Sequence, residues 1–104
     1  MLRKSVVIKV STCEILEKMG LRIKNARLRR DISVKDLAEQ AGISEGTLYA
    51  IEKGKETVSI GAYAAVLTVL GLDKDFDLMV NDKEEKKKYW EKNIYKRERA
   101  TRKK

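Results

Sequence analysis

The sequence predicts an all-α fold of five short helices, with one β-strand before them and a basic tail after them. Three observations lead there. Apolar residues recur three and four positions apart through most of the stretch from residue 15 to residue 70. Ser33, Ser44 and Ser59 stand in front of three such runs, and Gly42, Gly54 and Gly71 stand behind them, the order in which helices are capped. The 104 residues contain no proline, so nothing in the chain forbids a helix interior.

Bulk properties narrow the function. At 104 residues the chain is one domain with an arm and a tail, and its core is small enough that dimerisation would add stability. The net charge is +8, which suits an anionic partner. Residues 83–104 carry 11 Lys and Arg against 4 Asp and Glu, a net +7, whereas residues 1–82 carry 13 against 12, a net +1. The excess is therefore a property of the tail. With no histidine and a single cysteine, Cys13, a disulfide framework, a structural zinc site and a histidine triad are excluded. Cys13 reads as a small apolar residue rather than a reactive thiol. Neither a metal nor a cofactor is expected, and no catalytic base, nucleophile pair or phosphate-binding glycine loop can be assembled, so an enzyme is not expected. No apolar run reaches membrane-spanning length and no signal peptide is visible; the cytoplasm is the expected compartment.

Residues 1–10 form the arm. Val6, Val7 and Ile8, with Val10 beyond Lys9, favour a strand. A lone strand must pair, and the rest of the chain reads as helix, so the expected partner is the same strand of a second subunit. The alternative is a flexible arm. Residues 11–82 form the helical domain. Ser11 or Thr12 caps a first helix that runs to about Arg30, with Ile15, Leu16, Met19, Ile23, Ala26 and Leu28 at helical spacing and Gly20 as a weak point or break. Its end is basic, as suits a helix C-terminus.

The centre of the chain is 33–54. Ser33 caps a helix with Leu37, Ala38 and Ala41 on one face, and Gly42 ends it. Ile43 turns inward, Ser44 caps a second helix with Leu48 and Ile51 on its inner side, and Gly54 ends that one. Two helices crossing steeply need a small residue at the contact, and Ala38 supplies it. The outer side of the second helix carries Glu45, Gly46, Thr47, Tyr49, Ala50 and Lys53. An exposed, firmly held helix is what enters a DNA major groove. After a loop, Ser59 caps a helix with Ile60, Tyr63, Ala64, Leu67 and Leu70 on its apolar face, Gly71 as its stop and Leu72 following. Residues 73–80 read as a short fifth helix or turn. In 83–104, Tyr89, Trp90, Ile94 and Tyr95 interrupt the charges. The tail is either a solubilising end or a segment that folds on a partner.

Residues 19–72 resemble the lambda-repressor-like (XRE, Cro/CI-type) helix-turn-helix domain. The marks are Leu37-Ala38, Gly42-Ile43-Ser44, Thr47-Leu48 and Ile51-Glu52-Lys53-Gly54. The resemblance implies a five-helix DNA-binding domain from a bacterium or phage, a homodimer on double-stranded operator DNA, and a recognition helix beginning at Ser44. It implies base contacts at Ser44, Glu45, Gly46 and Tyr49, with Ala50 one step on. Glu45 can only accept, as from a cytosine amino group, and Gly46 and Ala50 offer only close approach or a thymine-methyl contact. Direct readout is thin, and Tyr49 is the strongest base-reading residue. Thr47, Lys53 and Lys55 suit phosphates. The resemblance also implies an ion pair between Arg27 and Glu52 that locks the first helix to the recognition helix.

The segments Ile23 to Ser33, Ile51 to Gly54, Thr57 to Gly61 and Tyr63 to Leu67 resemble HipB-type antitoxins in particular. That implies a repressor of its own toxin–antitoxin operon with a HipA-like toxin kinase as partner. Two other readings remain: a stand-alone or phage-type regulator, and an RNA-binding adaptor that uses the aromatic residues of the tail for stacking.

Overall fold

A computed structural model describes residues 6–80. Four α-helices follow one another: α1, Val10–Arg29; α2, Val34–Ala41; α3, Glu45–Glu52; and α4, Ile60–Leu70. A short 3₁₀ helix, Asp73–Leu78, comes last, and none of its residues is buried. The chain divides into one compact unit up to Lys74 and a second from Asp75 onward; α1 to α4 belong to the first.

Hydroxyl caps start three of the helices. The hydroxyl oxygens of Ser33, Ser44 and Ser59 accept from the N–H groups of Asp36, Thr47 and Ala62 at 3.0, 3.0 and 3.1 Å. Each bond satisfies one of the donors that a helix start leaves free. α1 differs. The expected caps, Ser11 and Thr12, lie inside it, and Lys9 occupies the cap position with no side-chain bond. The Lys9 carbonyl accepts from the Cys13 N–H at 2.9 Å, so the helix begins two or three residues earlier than its hydroxyls suggest.

The expected strand is not seen in the single chain. Among the described residues there is no strand: residues 6–9 are irregular and Val10 opens α1. β-branched residues favour a strand only where a neighbour completes the ladder, and among the described residues none does. Residues 1–5, and with them the start of the arm, lie outside the described residues, as does the tail at 83–104.

All four helices stop in the same way. A left-handed residue follows, its N–H and the next one fold back onto the last turn, and the free carbonyls are satisfied. At α2 the N–H of Gly42 reaches the Glu39 carbonyl (3.2 Å) and that of Ile43 the Ala38 carbonyl (3.0 Å). Gly54 and Gly71 do the same for α3 and α4, with Lys55 to Ala50 at 3.0 Å and Leu72 to Leu67 at 2.8 Å. At the end of α1 the left-handed residue is Asp31, φ 55, one of the few non-glycine types that enter this region at modest cost.

The core is formed by α1 on α3, and by α2 on both α3 and α4. Leu37, Leu48, Ile51 and Val66 are fully enclosed, and Ile23, Ala26, Ala38, Tyr63, Leu67 and Leu70 are buried with them. Three residues expected on apolar faces are not inside: Ile15, Leu28 and Ile60 are exposed. α1 is unbroken at Gly20. That glycine is buried, and a Cβ on it would lie 2.6 Å from the Gly54 nitrogen and 2.7 Å from the carbonyl oxygens of Ile51 and Glu52. A Cβ on Gly54 would fall onto the Leu16 carbonyl. The two glycines are the place where α1 and the end of α3 touch backbone to backbone.

Candidate nucleic-acid interface

α3 has eight residues, too few to hold a helix by itself in water. Its place is set from behind. Leu48 and Ile51 have no exposed surface, and Ala38 of α2 is small enough to let the two helices cross closely. At the far end, Arg27 Nε donates to Glu52 Oε2 at 2.7 Å and its terminal nitrogen donates to Oε1 at 3.2 Å. The other terminal nitrogen donates to the Ile32 carbonyl at 3.0 Å. One buried guanidinium therefore ties α1 to α3 and also to the turn before α2. The hydrogen bonds that Arg27 donates to Glu52 raise its pKa, against the opposing effect of burial. Both side chains are over nine-tenths buried, so Arg27 is committed to the fold and is not offered to a ligand.

The front of α3 is open. Ser44, Glu45, Gly46, Lys53 and, three residues past the last residue of α3, Lys55 are exposed; Thr47 and Ala50 are half-buried. Tyr49 has half of its surface free, and the small residue Gly46 stands next to it at helical spacing. It is thus the one large side chain in the middle of this face. The Ser44 hydroxyl donates to Thr47 Oγ1 at 2.9 Å, so both hydroxyls at the start of α3 are engaged locally. Ser44, Gly46, Thr47 and Ala50 form one wall of a shallow groove of about 610 Å³, and Thr57, Val58, Ser59 and Ala62 form the other. The structure brings together seven of the eight residues read as DNA contacts along α3, with Lys55 just beyond it.

Some features of the site were not read from the sequence. The second wall of the groove, from the loop before α4, has a family resemblance at Thr57 to Gly61 but no pattern that places it beside α3. Tyr63 is buried, and its hydroxyl donates to the Lys55 carbonyl at 2.8 Å, a bond that spacing cannot reveal. Gly20 did leave a signal. A glycine inside a long helix costs about 1 kcal/mol against alanine, and close backbone approach is one reason to keep it. Among the described residues no group of acidic or cysteine side chains could hold a metal ion, and no helix is long and apolar enough to cross a membrane.

A helix held from behind, bare in front and joined by a tight turn to the helix before it defines a helix-turn-helix DNA-binding module. The comparison with family models agrees: the helix-turn-helix domain matches residues 18–77, more than half of the chain, and the chain belongs to that family. It is a DNA-binding transcription regulator. No curated protein sequence matches it.

Proposed function

We propose that this chain is a sequence-specific transcriptional repressor that binds operator DNA as a homodimer, with α3 in the major groove. The observation that carries this is the division of α3 into a fixed back and a bare front. Leu48, Ile51 and Glu52 are used up by the fold, whereas Glu45, Gly46, Tyr49 and Lys53 are not. In this reading Ser44, Glu45, Gly46, Tyr49 and Ala50 face bases, and Thr47, Lys53 and Lys55 face phosphates. Tyr49 contributes most of the direct discrimination, and the rest of the specificity comes from the shape of the duplex. Two subunits read half-sites about one helical turn apart.

We further propose that the repressor is the HipB-like antitoxin of a toxin–antitoxin operon and binds a HipA-like kinase. The resemblance of residues 23–33, 51–54, 57–61 and 63–67 supports this. Two experiments test the proposals. DNA selected from a random pool is titrated by anisotropy with the wild type, Lys53→Ala and Tyr49→Ala. Lys53→Ala is expected to weaken binding equally on selected and unrelated duplexes, and Tyr49→Ala to narrow the gap between them. If neither changes anything, α3 does not face the DNA. For the antitoxin, the chain and the kinase-like protein encoded beside it are co-expressed and their co-elution is measured. The absence of such a neighbour, or of a complex, leaves a stand-alone repressor.

A further inference from the structure

Lys55 is held by its backbone on both sides. Its N–H donates to the Ala50 carbonyl on α3 at 3.0 Å, and its own carbonyl accepts from Tyr63 Oη on α4 at 2.8 Å. The residue before it, Gly54, is left-handed and buried against α1, with no room for a Cβ. The side chain of Lys55 is nevertheless exposed. A solvent-facing cation on an immobilised stretch of backbone thus lies just past the end of the recognition helix. Lys53 is fixed differently, by the α3 ladder itself, through its N–H to the Tyr49 carbonyl at 3.1 Å.

Tyr63 completes the arrangement. It is a core residue, 7% exposed, and for filling the core a phenylalanine ring would serve as well. A buried phenol must find a hydrogen-bond partner, and among the described residues the partner of Tyr63 is the Lys55 carbonyl. No other side chain in the described residues bonds to that loop. We infer that Tyr63 is a positioning residue for DNA binding: through the Lys55 carbonyl its hydroxyl fixes the lysine ammonium where it meets a DNA phosphate. This rests on the reading of Lys55 as a phosphate contact. Without the hydroxyl, the peptide between Lys55 and Glu56 is free to rotate, and the cation spreads over positions of which few touch the backbone of the duplex.

The test compares the wild type, Tyr63→Phe, Lys55→Ala and the double variant by fluorescence anisotropy. Each is titrated with a selected duplex and an unrelated duplex over a series of salt concentrations. Circular dichroism melts first set a temperature at which all four are folded. Lys55→Ala should flatten the slope of log affinity against log salt by about 0.9 for each subunit bound. Tyr63→Phe should weaken binding about two- to tenfold on both duplexes, the range expected for one lost hydrogen bond, and flatten the slope in the same direction. The double variant should bind no more weakly than Lys55→Ala. A loss of folded protein alone would lower the active fraction and leave the slope unchanged. The inference is overturned if Tyr63→Phe keeps the wild-type slope while Lys55→Ala flattens it, or if the two losses multiply in the double variant. If Lys55→Ala keeps the wild-type slope, Lys55 touches no phosphate, and the reading beneath the inference fails with it.

Discussion

Replacing Gly20 by alanine sets two effects of known sign against each other. In an exposed helix interior the change stabilises by about 0.8–1.0 kcal/mol, because alanine loses less backbone entropy and hides more of the helix. Gly20 is not in such a place. Its Cβ would stand 2.6 to 2.7 Å from one backbone nitrogen and two carbonyl oxygens at the end of α3. All three belong to the main chain, so no side chain can swing away to make room. Relief requires α1 and α3 to separate, and with them the Arg27–Glu52 pair. Overpacking of this kind costs about 1–3 kcal/mol, and three backbone clashes put it at the upper end. The net is a loss of about 1–2 kcal/mol.

The control is Gly61→Ala. Gly61 also lies in a helix, but the nearest atom to its Cβ would be the Ser59 hydroxyl at 3.9 Å. There the entropic gain stands alone, up to about 1 kcal/mol. Thermal melts by circular dichroism read both. For a domain of this size the Gly20 variant should melt roughly 5–15 °C lower, and the Gly61 variant a few degrees higher. A Gly20→Ala protein that melts with Gly61→Ala, at or above the wild type, would mean that α1 and α3 do not meet at these glycines.

Three further outcomes follow from the same packing. Glu52→Ala strands the buried Arg27 guanidinium and should cost about 3–5 kcal/mol in urea unfolding, a large share of the stability of a small domain; adding Arg27→Met should recover part of that loss, because the charge goes with its partner. The Arg27 pKa is raised above its already high ordinary value, so its contribution is complete below that ordinary value and is lost only above it; the pair should therefore give no stability change from the arginine side between about pH 6 and pH 10. Tyr63 is also raised above its ordinary value of 10.0, by burial first and then by the nearby Glu56 charge. Its proton is thus held more tightly in the folded state, and stability should fall as pH rises through and beyond 10, less steeply in Tyr63→Phe than in the wild type when urea midpoints are compared.

What could be read from the sequence was what is local. The hydroxyl of Ser33, Ser44 or Ser59 reaches an N–H three residues away, and the glycine stops act on their own last turn, so each is written in a handful of adjacent letters. The errors lie where the partner is remote or the pattern is saturated. α4 is apolar at nearly every position from Ile60 to Leu70, so periodicity alone could not choose its face; Val66 went inside and Ile60 stayed outside. In α1 the hydroxyls of Ser11 and Thr12 were available as caps, yet the Lys9 carbonyl had already begun the ladder. Asp31 shows the same limit from the other side: its left-handed backbone does a glycine's work without a glycine to mark it. For the candidate site, the residues of 44–55 were named from a motif, whereas the groove wall at Thr57–Ser59 and the Tyr63 tie were not. Both are contributed by α4 and the loop before it, several residues beyond the pattern.

The support of α3 has a consequence for how specificity changes. A helix this short derives its stability from Leu48, Ile51, Ala38 and the Arg27–Glu52 pair rather than from its own propensity. None of these residues is on the outer face. Gly46 is a poor helix former there, yet α3 keeps it, and its Cβ would meet nothing closer than the Ser44 hydroxyl at 3.9 Å. Substitutions at Glu45, Gly46 and Tyr49 should therefore change unfolding free energy by only about 0.5–1 kcal/mol each, and Gly46→Ala should raise it. The same changes act directly on the surface that faces the duplex. A library randomised at these three positions should yield many folded proteins that unfold cooperatively in urea and differ in their preferred sequences in a selection from random DNA. If most members unfold instead, the outer face of α3 carries part of the core, and the division between a fixed back and a bare front is wrong.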